Sequence, residues 1–218
     1  MASTRIPRSR TPDARLLDDS RFRALLSDED WGRLPVAIWR RFSKRLSDGK
    51  TIVYVGLVDE ACLSRIGWWI AQLLRAIGGP LPTSAATGVP IIVTVTEDAS
   101  AGGQTWTRIC ARRRRFPQVI RSAKCFAGPT GLEEYVGFGI SMALRVSVEQ
   151  EVLVFRSVGY SFGAGRLRLP MPAWLTPGVL TVTHKDLGGG EFRFTQEVVH
   201  PRFGEIIRQS AVFREASS

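Results

Sequence analysis

The stretch GISMALRVSV, residues 139–148, alternates without a break. Ile140, Met142, Leu144, Val146 and Val148 fall on one face, and Ser141, Ala143, Arg145, Ser147 and then Glu149 on the other. A period of two puts one face in a core and the other in water, the mark of a half-buried antiparallel strand. Similar segments lie on both sides of it. Ile91, Val93 and Val95 alternate with Ile92, Thr94 and Thr96, and QTWTRIC and FPQVIRSAKCF follow. Downstream come VLVFRSVGY, GRLRLP, GVLTVTHKD, EFRFTQEVV and EIIRQSAVF. The turns between them are marked by EDASAGG and by Gly128-Pro129-Thr130-Gly131.

No helical pattern interrupts this series after residue 82, so the expected topology is an antiparallel meander. About eight such strands must curl or close to bury one face. Upstream, LSRIGWWIAQLLRAIGG carries Leu63, Ile66, Ile70, Leu73, Leu74 and Ile77 at helical spacing, and Gly78-Gly79-Pro80 stops it. TIVYVGLVDE, before that helix, reads as a strand buried on both faces. The expected fold is therefore α+β: a strongly curved antiparallel sheet, or partial barrel of about eight strands, packed around the amphipathic helix 63–77.

Three segments are expected: a disordered basic tail over 1–15, a helical segment over 16–46, and the sheet-plus-helix domain over 47–215 as a single domain. In the helical segment, Ser27 with Asp30 three residues on has the look of an N-cap, and Pro35 opens a second short helix.

Bulk properties exclude several classes. The 44% hydrophobic content is that of a globular chain, and no apolar run reaches the ~18–20 residues of a membrane span. The N-terminus lacks an apolar segment after its basic residues, so no secretory signal is read there. Cys62, Cys110 and Cys125 are widely spaced, with no CxxC and no Cys/His cluster. That disfavours a disulfide framework and a zinc site, and reduced thiols fit a cytoplasmic location. HExxH, GxGxxG and Walker sequences are absent, so neither metal nor cofactor is expected. The adjacent Glu133 and Glu134 alternate onto opposite faces of a strand.

A formal charge of +10 favours an anionic partner. The only dense run, Arg112 to Arg115, sits at a strand end beside Phe116 alone. It reads as a charged turn, which makes nucleic acid a disfavoured partner.

Candidate site residues come from the strand faces. In GGQTWTR, Gln104, Trp106, Arg108 and Cys110 share a face, so Trp106 could stack on a ligand ring while Arg108 pairs its acidic group. The structural alternative is a core Trp beside a snorkelling Arg. Arg156 and Arg208 are further candidates for countercharge. His184 ends the apolar stripe of Leu180 and Val182, where burial would hold it neutral and make it a candidate acid/base; a satisfied core-edge histidine is the alternative. LPMPAWLTPG, 169–178, is a proline-stiffened corner whose Met171, Trp174 and Leu175 could cover a cavity mouth or plug a core. His200-Pro-Arg-Phe-Gly204 reads as a hairpin turn, with His200 structural.

GGQTWTR, LRLPMPAWLTPG and GGGEFRFTQEVVHPRFGEIIRQSAVF together resemble the bacterial "domain of unknown function 4166" family, over about Ser47 to Arg214. The matching positions are Gly103, Trp106, Arg108, Pro170, Pro172, Phe192, Phe194, His200, Pro201 and Gly204. Similar domains occur alone or joined to the C-terminal side of saccharopine-dehydrogenase-like oxidoreductases. The resemblance implies no established activity and suggests a metabolic oxidoreductase as partner.

Three functions stay open. The first is binding of a small apolar or lipid-like ligand with an acidic group, as an accessory to an oxidoreductase. The second is an enzyme with His184 as acid/base in the same cavity. The third is a basic interaction module for an anionic partner.

Overall fold

A computed structural model describes residues 17–45, 51–78, 81–98, 102–164 and 167–216. The expected tail, 1–15, lies outside them. The chain opens with a short strand β1 (Leu17–Asp18), a single 3-10 turn (Arg23–Leu25), helices α1 (Asp28–Arg33) and α2 (Val36–Phe42), and β2 (Lys44–Arg45), which pairs β1. Ser27 caps α1 by accepting from the Asp30 amide at 3.0 Å, and Pro35 stands at the N-cap of α2, as the sequence suggests.

Next come β3 (Thr51–Leu63), helix α3 (Arg65–Leu74) running into a 3-10 turn (Arg75–Ile77), β4 (Pro90–Asp98), β5 (Gly103–Arg112) and β6 (Arg115–Cys125). β7 (Glu133–Gly137), β8 (Ile140–Glu149), β9 (Val152–Ala164) and β10 (Leu167–Pro170) follow. A 3-10 turn (Ala173–Leu175) leads to β11 (Val179–Gly188), β12 (Glu191–His200) and β13 (Gly204–Glu215).

The sheet runs β9-β11-β12-β13-β3-β4-β5-β6-β7-β8, with every pairing antiparallel. β8 also pairs β9, from Ile140↔Phe162 to Glu149↔Val152, so the sheet closes into a ten-stranded barrel. Closure removes the sheet's open edges, and only β10 remains as a flap hydrogen-bonded to the far end of β9. The expectation of about eight strands in a partial barrel is corrected: β3 joins β13 to β4, and β7 forms a strand of its own. β3 is also not buried on both faces. Tyr54 and Val58 are buried while Leu57 is exposed, as barrel geometry requires.

The two ends of the barrel differ. At one end, Phe22 and Phe42 enter between the strands, with Phe22 edge-on to Phe42 and Phe126 at ring-centroid distances of 5.0 and 4.8 Å. Arg21 fastens this plug by pairing Asp19 at 2.6 Å and Glu97 at 2.8 Å. The buried cluster of Phe22, Ile38, Phe42, Leu144 and Phe155 forms the main core here.

At the other end lies α3. Ser64 caps it by accepting from the Gly67 amide at 3.0 Å. Gly67 packs against the Ile206 carbonyl of β13 so closely that an added Cβ would come within 2.0 Å of that oxygen. Beyond the helix, Gly78 sits beside the Val136 carbonyl of β7. β13 and β7 are five strands apart in a ring of ten, so α3 lies across the diameter of the mouth. The sheet is thus not wrapped around the helix, contrary to expectation; the helix covers the barrel's end.

Its inward side is Gly67, Ile70, Ala71 and Leu74, at spacing i, i+3, i+4, i+7, while Ile66 and Leu73 face out. The buried stripe is centred on two small residues, which allow the close approach, and a reading weighted by bulky side chains rotates the helix away from it.

Candidate functional site

The barrel encloses a cavity of about 140 Å³. A single water needs roughly 10–15 Å³ of such space, so the lumen has room for a small organic molecule. Its wall is mainly apolar: Ile52, Val93, Val95, Met142, Phe155 and Leu180 are among the lining residues. Leu74 of α3 and Met171, Leu175 and Pro177 of the corner before β11 line it at the mouth. The 169–178 corner therefore contributes side chains to the cavity, although Trp174 itself points outward and is exposed.

Strand alternation brings Gln104, Trp106 and Arg108 of β5 into the lumen together. Two of them reach across it. Arg108 donates through Nη1 to Oε1 of Gln196 on β12, and the Trp106 ring lies 6.4 Å from that of Phe194 on the same strand. Trp106 Nε1 donates to Gln104 Oε1 at 3.3 Å, and the Lys124 ammonium sits 4.7 Å from the Trp106 ring centroid. Lys124 also donates to Glu134 Oε2 at 2.9 Å, with both side chains nearly buried. Burial alone would raise the Glu134 carboxyl, but the charges of Lys124 and Arg108, with hydrogen bonding, hold it below the usual carboxylate range. Arg108 forms no salt bridge among the described residues, so its charge is the one in this group left without a carboxylate in contact.

A second polar group lies toward the plugged end. His184 stacks on Phe192 at 4.5 Å and meets Phe42 and Phe194 edge-on at 5.2 and 5.9 Å. Burial in this aromatic cage, aided by the charge of Arg41, pushes its pKa down to about 3. Its Nδ1 is buried without a hydrogen-bond partner, and so is Nη1 of Arg41. The Arg41 guanidinium lies over Phe192 at 4.2 Å and reaches Asp186 at 3.3 Å. Near the mouth, Tyr160 donates to the Gly178 carbonyl at 3.0 Å, and burial pushes its hydroxyl up to about 12.

Of the residues singled out from sequence, Trp106, Arg108 and His184 share this lumen. Arg156 and Arg208 do not. Arg156 is half exposed beside Glu149, and Arg208 lies in an outer cluster with Glu60, Glu197 and Glu205. They occupy the outward side because Phe155 and Ile207, one position away, take the inward one. Glu133 and Glu134 do point to opposite sides: Glu133 meets Arg168 while Glu134 meets Lys124.

His200 opens the β12–β13 turn as expected. It pairs Gly204, whose φ is 68°, and its Nδ1 accepts from the Arg202 amide at 3.1 Å. Arg41, Lys124 and Gln196 join the site without being sequence candidates, and Glu134 joins it although the sequence offers it only as one of two carboxylates on opposite faces. Lys124 and Gln196 follow from alternation once the strands' inner faces are known, whereas Arg41 sits on a helix whose contact with the barrel has no sequence signal. The three cysteines are free, and no cluster of metal-binding side chains occurs among the described residues.

The class that this geometry defines is the closed antiparallel β-barrel with a covered mouth and a mostly apolar, sparsely polar interior. The chain belongs to the family described as Domain of unknown function (DUF4166), which it matches over residues 34–213. That span takes in α2 and nearly the whole barrel. No curated protein and no solved structure matches the chain.

Proposed function

We propose that the barrel is a binding chamber for a small, largely apolar molecule with an acidic group. The observation that carries this reading is Arg108: a cation in a mainly apolar lumen, held by Gln196 and with no carboxylate in contact among the described residues. A ligand anion would supply that partner, and a charge-assisted hydrogen bond in such a setting contributes about 1.5–3 kcal/mol. Trp106, on the same face, offers a flat apolar surface beside it. The unpartnered Nη1 of Arg41 adds a second donor toward the plugged end. Supply of such a molecule to a metabolic oxidoreductase is the accessory role that the family resemblance suggests.

The enzymatic alternative draws less support from the site. A base with a pKa near 3 is poorly matched to proton transfer at neutral pH, and His184 is enclosed by three phenylalanine rings.

The test is a fluorescence titration with cis-parinarate, a fatty acid that emits in apolar surroundings, beside native mass spectrometry of the purified protein. Saturable binding at one site, weakened roughly tenfold or more by Arg108→Ala, is the expected result. Absence of saturable binding together with no co-purified small molecule overturns the proposal.

A further inference from the structure

The mouth covered by α3 carries a chemical pattern that the plugged end lacks. Five connections with described residues meet there: β3–β4, β5–β6, β7–β8, β10–β11 and β12–β13. Each exposes a large apolar side chain: Trp69 (65% exposed) with Leu73 on α3, Phe116 (92%) just after the β5–β6 turn, Phe138 (70%), Trp174 (74%) and Phe203. At the plugged end, the described turn residues of 126–132, 150–151 and 189–190 expose none.

Charge divides along the same axis. The five connections contain neither Asp nor Glu, whereas Arg65, Arg75, Arg113, Arg114 and Arg202 lie within them and Arg115 follows at once; Glu205, just past the β12–β13 turn, is paired with Arg208. None of these six arginines forms a salt bridge among the described residues. The end of α3 and the β5–β6 hairpin even share a groove, lined by Arg75, Arg112, Arg114, Arg115 and Phe116. The plug end, by contrast, mixes both signs: Asp28 and Asp30 of α1 pair with Arg23 and Arg33, Arg21 and Arg41 are also paired to carboxylates, and Glu149, Glu151 and Glu191 lie at its hairpins.

A soluble surface scatters its apolar side chains singly; a ring of them on one end marks a contact face. Tryptophan and phenylalanine projecting from turns and a helix, with arginines between them and no acid within the connections, match the boundary of an anionic bilayer. The rings enter the headgroup region and the guanidinium groups meet lipid phosphates. We propose that this end docks the barrel, mouth down, on an anionic membrane surface. α3 then lies at the interface as a two-sided lid, with Ala71 and Leu74 toward the lumen and Trp69 and Leu73 toward lipid. Docking goes beyond ligand binding and stands on the surface alone.

Vesicle flotation of the whole chain tests it, using phosphatidylcholine vesicles with and without phosphatidylglycerol. The chain is expected to float with the mixed vesicles, to stay in solution with pure phosphatidylcholine, and to be released by salt. Arg114→Glu with Arg115→Glu should weaken flotation roughly tenfold or more, and Trp69→Ser with Phe116→Ser should do the same. Both pairs should leave cis-parinarate binding in solution unchanged, and Arg108→Ala should leave flotation unchanged. Brominated lipid offers a readout needing no variant, because Trp69 and Trp174 at the interface would be quenched. Failure to float with anionic vesicles, equal binding to neutral ones, or no quenching overturns the proposal while leaving the chamber reading standing.

Discussion

Arg108 on β5 donates to Gln196 on β12, and the bond crosses the inside of the barrel rather than running along its wall. The two strands are separated by β4, β3 and β13, so the pair ties nearly opposite sides of the lumen. It also fixes the guanidinium within the lumen, where the anion of the proposed ligand would meet it. Gln196→Leu should therefore leave the fold intact and free the Arg108 side chain. Ligand affinity is expected to fall several-fold, less than for Arg108→Ala, because the charge stays but its orientation is lost. Parinarate titration of both variants and the double variant gives the coupling; strictly additive losses would show that Gln196 does not position Arg108.

Lys124 and Glu134 form the one described salt bridge that faces the lumen with both partners nearly buried. Removing one partner of such a pair strands a charge, a loss of about 3–5 kcal/mol. Lys124→Met should show this as a lowered denaturation midpoint at neutral pH. Lys124→Met combined with Glu134→Leu should recover most of it. The Glu134 carboxyl is held below its unfolded value of about 4.3. Its contribution is therefore complete above that pH and lost as pH falls through the folded value. The double variant should accordingly lose less stability than the parent on acidification below about pH 4.3.

The barrel strands were legible because their alternation has one cause, a lumen on one side and water on the other. Ile140, Met142 and Leu144 of β8, and Trp106 and Arg108 of β5, face inward as read. Closure was not legible. It depends on β8 pairing β9 on one side while β11 pairs it on the other, a count of strands and a stagger that no single segment encodes. Within the site, Arg108 and His184 could be found from strand periodicity. Arg41 could not, since its approach to His184 depends on how α2 docks against the barrel end. Arg156 and Arg208 are candidates by charge alone, and one step of register puts them outside.

Gly67 permits the contact that holds the lid. Its absent side chain leaves the Ile206 carbonyl within 2.0 Å of where a Cβ would stand, and the obstacle is backbone, which cannot swing aside. Gly67→Ala would improve helix propensity by about 1 kcal/mol in an isolated helix. Here it should instead push α3 off β13 and destabilise the chain, by a net ~1–3 kcal/mol for overpacking. Amide hydrogen exchange should show faster exchange confined to α3 and the start of β13. Exchange unchanged from the parent would mean that the lid is not held at this point.

His184 provides the sharpest pH signature. Its folded pKa near 3 lies well below the unfolded value of about 6.5, so between these values the unfolded chain binds the extra proton. The sign follows: the native state keeps full stability above about pH 6.5 and loses it progressively as pH falls toward 3. At roughly 1.4 kcal/mol per pH unit, the total penalty at the acid end is on the order of 5 kcal/mol. Replacing the ring by another flat apolar one removes that proton without opening a large void. His184→Phe should thus match the parent within about 1 kcal/mol near pH 8, allowing for repacking against Phe192 and Phe42. It should become the more stable of the two as pH drops below 6, measured by urea denaturation across pH. A variant whose stability tracks the parent at every pH would show that His184 takes up its proton without cost, and the imidazole could then be protonated in the folded barrel.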